Sequence, residues 1–156
     1  MPQSLSKVTL HLIFSTKNRD RALAHPDLRN QLEGYILGIL KNLGCPSIST
    51  RVMIDHVHIL FLLSRTETIS NIVGTVKQGS AKWIKQQMPD RKAVFLMKFQ
   101  WQKGYSVFSI SESTIPRVKE YIENQEEHHK RMTFQDEYRD FLRKYNVAYD
   151  ERYVWD

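Results

Sequence analysis

The pattern of apolar and polar positions predicts four strands and four helices along the chain. Apolar residues at every second position, or in short unbroken runs, are typical of strands, and apolar residues three and four positions apart are typical of helices. The predicted strands span residues 8–14, 48–53, 54–63 and 105–110, and the predicted helices span residues 26–43, 69–87, 115–131 and 133–145. A break at Met88, Pro89 and Asp90 follows the second helix.

The order of these elements predicts the fold class. Strand, helix, strand, strand, helix and strand is the split βαβ order of ferredoxin-like and RNA-recognition folds. We therefore expect an α+β fold with a ferredoxin-like, RRM-like antiparallel sheet (βαββαβ) and additional C-terminal helices. The first and third strands lie in the middle of such a sheet, which would bring His11 near the third strand. The 156 residues fit one domain, residues 1–156.

Two histidines lie one residue apart in the third predicted strand, in the sequence IDHVHILFLL. Alternate residues of a strand point to the same face, so His56 and His58 project side by side, with Val57 and Ile59 on the opposite face. Both faces of this strand are otherwise apolar, so each ring is expected in the interior, where it needs a hydrogen-bond partner or a metal ion. Two interpretations stay open: hydrogen-bonded core histidines, or a pair of metal ligands.

Composition and charge narrow the classes of partner. The net charge of +6 and the pI of about 9.5 favour a polyanion, which can be DNA, RNA or an anionic lipid surface. Cys45 is the only cysteine, which excludes an internal disulfide and a zinc site made of thiolates and suits a reducing cytoplasm, the expected location. No apolar run approaches the roughly 20 residues that span a bilayer, so we expect no membrane partner.

A tyrosine and a glutamine four residues apart lie on the helix predicted at residues 115–131. Tyr121 and Gln125 share one face of this helix, next to the apolar stripe that contains Val118 and Ile122. The pair is therefore expected at the edge where the helix meets the sheet. Taken alone, it is more typical of a packed tyrosine and a surface amide than of a catalytic site.

These features, in this order, resemble the single-tyrosine HUH transposases of small bacterial insertion sequences, of the IS200/IS605 type. The resemblance rests on His56-Val57-His58 in a strand, followed after one more strand by a helix with Tyr121 and Gln125. The segments STKNR, IDHVH, WQKGYSVFSIS and YIENQEEHHK also look like those of the family. The similarity extends over nearly the whole chain.

The resemblance implies a transposase that nicks and rejoins single-stranded DNA at insertion-sequence ends through a 5′-phosphotyrosine intermediate, without ATP. Tyr121 would be the catalytic nucleophile. His56, His58 and Gln125 would hold a divalent metal ion, Mg²⁺ or Mn²⁺, that polarises the scissile phosphate. The implied partners are single-stranded DNA with hairpin ends and a second copy of the chain, in a homodimer with composite active sites.

Other residues have less specific signals. His128 and His129 are candidates for the base that takes the Tyr121 proton, although a solvated helix end is the commoner setting for such a pair. Trp101 is suited to stack on a base, although a buried loop anchor is the commoner role. The residues predicted to contact the DNA backbone are Lys17, Arg19, Lys77, Lys82, Lys85 and Lys103.

Two other functions are compatible with the same fold. One is a noncatalytic nucleic-acid-binding module whose sheet aromatics stack on bases. The other is a metal-dependent hydrolase that uses the histidine pair alone, which is disfavoured because no carboxylate lies at a comparable spacing from the pair in the sequence. Only the transposase forms a covalent link between DNA and Tyr121.

Overall fold

The structure, a computed structural model, describes residues 2–87 and 97–156. One antiparallel sheet contains the strands β1 (Thr9–Ser15), β2 (Ser47–Val52), β3 (His56–Leu62) and β4 (Ser106–Ile110). The helices are α1 (Pro26–Asn42), α2 (Ile69–Gln86), α3 (Ile115–Glu123), α4 (Gln125–His128) and α5 (Phe134–Lys144). The predicted α+β fold is confirmed. The predicted break at Met88, Pro89 and Asp90 lies outside the described residues.

The sheet order is β2-β3-β1-β4, so the first and third strands occupy the middle, as predicted. In the antiparallel pairing of β1 with β3, Ile13 lies opposite His58 and Ser15 lies opposite His56. His11 is two residues from Ile13 and therefore shares its face of the sheet, diagonally across from His58. The register alone thus brings three histidines to one side of the two central strands.

The opposite face of the sheet packs against α1 and α2. Leu12, Phe14, Val57 and Ile59 point to this side and join the largest apolar cluster of the chain. Both helices begin where the sequence predicts: Pro26 occupies the first turn of α1, and the Thr68 hydroxyl accepts a hydrogen bond from the Asn71 N–H at the start of α2. This half of the molecule is a scaffold that fixes the position of the central strands.

The histidine face is covered by the helices that follow β4. Ile13 and Phe108 of the sheet pack against Phe134, Tyr138 and Leu142 of α5. A smaller cluster joins Leu60 and Ile110 to Ile122 of α3. The three C-terminal helices therefore enclose the side of the sheet on which the histidines lie.

The helix predicted at residues 115–131 is two helices. Asn124 takes φ −98° and ψ 20°, which ends α3 one residue before α4 begins. Asparagine is one of the weaker helix formers, which suits a break at this position, and its side chain makes no capping hydrogen bond here. The turn after α4 reverses the chain, and the Thr133 side chain then caps α5 by accepting from the Asp136 N–H, as the sequence predicts.

In the residues that the structure describes, no helix combines the length and apolar character that crossing a bilayer requires.

Candidate active site and metal centre

His56 presents one ring nitrogen to the space between the sheet and α5. Its Nδ1 lies 2.7 Å from a carboxylate oxygen of Asp55, in the tight turn before β3. The carboxylate accepts, so Nδ1 carries the proton and the neutral ring has a lone pair on Nε2. This Nε2 is buried without a hydrogen-bond partner among the described residues. A fixed Nδ1–H with a free Nε2 is the usual state of a histidine prepared for a metal ion.

His58 is held by a second histidine from the neighbouring strand. The His58 Nδ1 lies 2.9 Å from the His11 Nε2, and both rings are fully buried. The prediction that His11 lies beside the pair is confirmed. Burial, together with the neighbouring His58, lowers the pKa of His11 well below the ordinary histidine value, so this ring stays neutral. The contact fixes the His58 ring, and its Nε2 faces α5.

Tyr121 of α3 approaches this histidine pair within the same chain. The centroids of the Tyr121 and His58 rings are 6.0 Å apart. The Tyr121 hydroxyl donates a hydrogen bond to the carboxylate of Glu137, and its oxygen lies 3.2 Å from the His128 Nε2. Burial, followed by the nearby negative charge of Glu137, raises the pKa of Tyr121, so the hydroxyl is neutral in the metal-free protein.

Glu137 stands at the centre of the site, although nothing in the sequence pattern singles it out. One carboxylate oxygen lies 2.9 Å from the His58 Nε2 and 3.7 Å from the His56 Nε2. The other lies 3.1 Å from the His128 Nε2 and 3.2 Å from the His129 Nε2. Burial alone would raise the pKa of Glu137, but the surrounding histidines outweigh it and hold the pKa below the ordinary range. Glu137 is therefore an ionised, buried carboxylate.

His129 is not at a solvated helix end, and that expectation is wrong. Only 14% of its side chain is exposed. Its Nδ1 lies 2.9 Å from the Met132 carbonyl oxygen, which can only accept, so the proton is on Nδ1 and Nε2 faces Glu137. Burial lowers the pKa of His129, but its contacts with Glu137 raise it by more, so its net pKa is above the ordinary value. The turn that follows α4 folds the ring back over the sheet.

The residues present fit a divalent cation. His56, His58, His129 and Glu137 each offer one ligand atom, and these atoms lie within 4.8 Å of one another. The Nε2 lone pairs of His56 and His129 both point at the carboxylate of Glu137. Lone pairs and a carboxylate repel one another unless positive charge lies between them. Protons or a metal ion can supply this charge. Buried nitrogen atoms without partners are the observation that favours an ion.

Gln125, the third predicted metal ligand, is fully buried at the start of α4. Its side-chain nitrogen lies 3.4 Å from the backbone oxygen of Tyr121, and its side-chain oxygen has no partner among the described residues. Contact with this amide acts to lower the pKa of Tyr121, against the larger effect of burial. Gln125 therefore lies beside the Tyr121 side chain with a free acceptor atom.

Comparison with known proteins identifies the family. The family model described as "Transposase IS200 like" matches residues 4–125, which is most of the chain. The chain belongs to the IS200-like transposase family. The ISDra2 transposase TnpA of Deinococcus radiodurans is 29% identical over 115 residues, which cover 74% of this chain and 81% of that protein. The family inferred from the histidine, tyrosine and glutamine positions is confirmed.

Two solved structures resemble this IS200-like transposase. A crystal structure of a protein from Deinococcus radiodurans R1, assigned as a transposase, matches with a TM-score of 0.62 and 27% identity and covers 80% of this chain and 95% of that one. A REP-associated tyrosine transposase bound to a REP hairpin matches with a TM-score of 0.59 and 16% identity, over 97% of this chain and 94% of that one. The second match shows the fold, including the C-terminal helices.

The family model ends at Gln125, so it includes the histidine pair and Tyr121 but not the last part of the site. His128, His129 and Glu137 come after the matched residues. They reach the same centre because α4 and α5 fold back over the histidine face of the sheet. The sequence argument that no carboxylate lies at a comparable spacing from the pair is thus misleading, since Glu137 comes within 2.9 Å of the His58 Nε2 in space.

The predicted DNA contacts of this transposase fall into two groups. Lys17, Lys82, Lys85 and Lys103 are exposed, and Arg19 is partly exposed. Lys17 and Lys103 line one open cavity of about 220 Å³, which also includes Trp155. The Arg19 guanidinium lies over the Trp155 ring, with 5.6 Å between its carbon and the ring centroid.

Lys77 differs from the other predicted contacts because its ammonium group is already bound. It donates to the backbone carbonyls of Gln102, Lys103 and Gly104 at 2.8, 3.2 and 2.7 Å. Burial lowers its pKa to about 8. This lysine ties α2 to the loop before β4. The nearby Trp101 is a buried anchor, as the sequence favours, and its Nε1 donates to the Ser80 hydroxyl at 2.9 Å.

A second cavity adjoins Tyr121 itself. It has a volume of about 250 Å³, and Tyr121, His128 and Glu137 form part of its wall. Arg117 and Lys144 also line it. Arg117 and Lys144 thus lie close to the Tyr121 hydroxyl and to the candidate metal centre. Cationic side chains in such a position are suited to bind the phosphates of a nucleic acid strand.

Proposed function

We propose that this family member is a metal-dependent transposase that nicks and rejoins single-stranded DNA at insertion-sequence ends, with Tyr121 as the nucleophile. The observation that supports this most directly is that Tyr121 and His58 meet at a single carboxylate, Glu137, within one chain. A phenol held beside a pair of buried imidazoles that turn their Nε2 atoms to one carboxylate is an arrangement suited to metal-assisted phosphoryl transfer.

In the first step, the Tyr121 oxygen attacks the phosphorus of the scissile phosphodiester. The new bond joins Tyr121 to the 5′ side of the break, and the P–O3′ bond breaks to leave a free 3′-hydroxyl. The hydroxyl proton of Tyr121 has two acceptors in contact, the Glu137 carboxylate and the His128 Nε2. Because the phosphotyrosine ester keeps the energy of the broken bond, attack by another 3′-hydroxyl rejoins DNA without ATP.

His56 and His58 would hold the cation through their Nε2 atoms, with Gln125 as the third ligand that the family resemblance implies. A divalent ion there, Mg²⁺ or Mn²⁺, supplies charge that polarises the scissile phosphate and favours the ionised phenol. Asp55 and His11 keep the two imidazole rings in place through their Nδ1 atoms. Arg117 and Lys144 are positioned to bind the flanking phosphates in the cavity beside Tyr121.

The proposed substrate is single-stranded DNA with hairpin ends. The positive net charge of +6 attracts it, and the exposed lysines and the cavity next to Tyr121 offer contacts for its backbone. A structural relative with the same fold is bound to a REP hairpin. We place this activity in the cytoplasm, a reducing compartment that a chain with the single cysteine Cys45 suits.

The decisive experiment detects the covalent intermediate. Labelled single-stranded DNA that carries the ends of the native element is incubated with the protein and Mn²⁺ or Mg²⁺. We expect a 5′ product linked to the protein that is absent with Tyr121→Phe and present with Tyr145→Phe, which changes a neighbouring tyrosine in the same cavity. Cleavage without a protein-linked product would favour the hydrolase, and binding without cleavage would favour the noncatalytic module.

A mixing experiment tests whether Tyr121 acts within its own chain. The single chain already brings Tyr121 to His58, so the first arrangement to test is action in cis. The homodimer with composite active sites, which the resemblance implies, is the alternative. Mixing Tyr121→Phe with His58→Ala restores the covalent product only if a tyrosine from one chain serves the histidines of the other. No restoration is expected if Tyr121 acts in cis.

A further inference from the structure

The C-terminal helices bring two ligand groups to the histidine pair that the family match does not include. His129 follows α4 and Glu137 lies in the first turn of α5, both beyond the matched residues 4–125. We propose that His129 and Glu137 are ligands of the same cation as His56 and His58, so that this chain adds a third imidazole and a carboxylate to the ligands that the family resemblance implies. The proposal rests on the proposed function for the role of the histidine pair.

The hydrogen bonds of the two outer histidines support this assignment. His56 and His129 sit on different elements, yet each commits its Nδ1 proton to an oxygen acceptor, the Asp55 carboxylate and the Met132 carbonyl. Each therefore turns its Nε2 towards Glu137, at 3.7 Å from one carboxylate oxygen for His56 and 3.2 Å from the other for His129. With the two Nδ1 protons committed elsewhere, neither Nε2 makes a hydrogen bond with the described residues. The His56 side chain is only 1% exposed, so its Nε2 is removed from bulk solvent.

The charge of Glu137 supports it as well. A carboxylate that is 2% exposed needs compensating positive charge, because an isolated buried ion is very costly. Arginine and lysine do not provide it, since every ion-pair partner that the described residues offer Glu137 is a histidine. A divalent cation at the centre of these four groups compensates the carboxylate and uses the free nitrogen atoms at once.

The carboxylate also links this metal site to the nucleophile. One oxygen of Glu137 faces His56 and His58, and the other accepts the hydrogen bond from Tyr121. A single side chain thus contacts the metal-binding pair and the attacking hydroxyl. Because the two groups contact different oxygens of Glu137, the carboxylate can bind the cation and accept the Tyr121 hydrogen bond at the same time.

The donor set predicts which ion is preferred. Imidazole nitrogen suits the later first-row metals, whereas Mg²⁺ prefers oxygen ligands and keeps several waters. Three imidazoles and one carboxylate therefore favour Co²⁺ and Zn²⁺ over Mn²⁺ and Mg²⁺ in binding to the DNA-free protein. A site made of two histidines and the Gln125 amide would discriminate less, because it has one imidazole fewer and no charge.

The test measures binding of Co²⁺ and Mn²⁺ to the full chain without DNA, by calorimetry and by the visible absorption of bound Co²⁺. Glu137→Gln and His129→Asn are each expected to weaken binding by at least about ten-fold, the smaller end of what loss of a residue around a metal site costs. Glu127→Gln and His25→Asn, which alter exposed residues of the same types, are expected to leave binding unchanged. The Co²⁺ spectrum should change in His129→Asn, which removes a nitrogen ligand.

Wild-type affinity and an unchanged Co²⁺ spectrum in both Glu137→Gln and His129→Asn would overturn the inference, whatever the effect of Gln125→Ala. Thermal unfolding of the metal-free variants shows whether each of them folds. If Glu137→Gln does not fold, His129→Asn provides the independent test, because His129 is less buried than Glu137. Failure of the proposed function is a different result: Tyr121→Phe would still form the covalent product while metal binding is intact.

Discussion

Replacing Asp55 by alanine tests the hydrogen bond that orients His56. The Asp55 carboxylate is 20% exposed and accepts from the His56 Nδ1 at 2.7 Å, while the ring itself is 1% exposed. Asp55→Ala leaves a buried N–H without a partner, which costs about 1–3 kcal/mol of unfolding free energy. The backbone carbonyl of Asp55 keeps its bonds to Thr16 at 2.8 and 3.2 Å, so the turn itself should survive.

The same substitution has a second expected effect, on the metal ion. Loss of a residue that orients a ligand typically lowers metal affinity by about 10–100-fold, equivalent to about 1.4–2.8 kcal/mol. Urea unfolding of the metal-free protein measures the first effect, and calorimetric titration with Mn²⁺ measures the second. Asp55→Asn is the control, because its amide oxygen still accepts from Nδ1 and both effects should be smaller.

The two measurements together can refute the reasoning. If Asp55→Ala unfolds at the wild-type urea concentration and binds Mn²⁺ with wild-type affinity, Asp55 neither satisfies nor orients His56. If only stability falls, the histidine is a structural core residue and its Nε2 is not a metal ligand. Equal losses in Asp55→Asn and Asp55→Ala would assign the effect to the negative charge rather than to the hydrogen bond.

Three further predictions concern the buried histidines, the exposed Lys82 and the partly buried Lys77. The free energy of unfolding of the metal-free protein should decrease as the pH falls from about 7.5 to 5.5. Burial lowers the pKa values of His11 and His56, so in this range the two histidines bind protons in the unfolded chain but stay neutral in the folded one. His129, with a raised pKa, opposes this in part, and greater stability at pH 5.5 than at pH 7.5 would contradict the prediction. Lys82→Met should weaken binding of single-stranded DNA and reduce the slope of log affinity against log salt by about 0.7, without changing stability. Lys77→Met should instead destabilise the fold by about 1.5–3 kcal/mol in urea unfolding, because its ammonium bonds three carbonyls.

The sheet could be predicted from the sequence because its signals are local. Alternation placed His56 and His58 on one face, and the order of strands and helices was enough to place β1 beside β3, and so His11 beside His58. The position of Tyr121 on a helix that packs against this face also followed from its spacing relative to the apolar stripe. These inferences use the two-residue period of strands and the 3.6-residue period of helices. They are reliable where one face of the element is buried.

Glu137 and His129 could not be predicted in the same way. Glu137 lies on α5 among the apolar residues Phe134, Tyr138 and Phe141, and its spacing in the sequence is that of an ordinary charged position in a first helical turn. For His129 the sequence favoured a helix end in solvent. Both residues reach the centre because the chain turns after α4 and α5 folds over the sheet, which depends on tertiary packing. Asn124, a weak helix former in the middle of the predicted helix, is a sequence signal for the break between α3 and α4.

The order in which the chain is made gives the Glu137 contacts a further consequence. His58 and Glu137 are hydrogen-bonded but 79 residues apart, so the sheet histidines are synthesised well before the residue that connects them to Tyr121. A centre that depends on Glu137 therefore stays incomplete until this residue has been made and its helix has folded over the sheet.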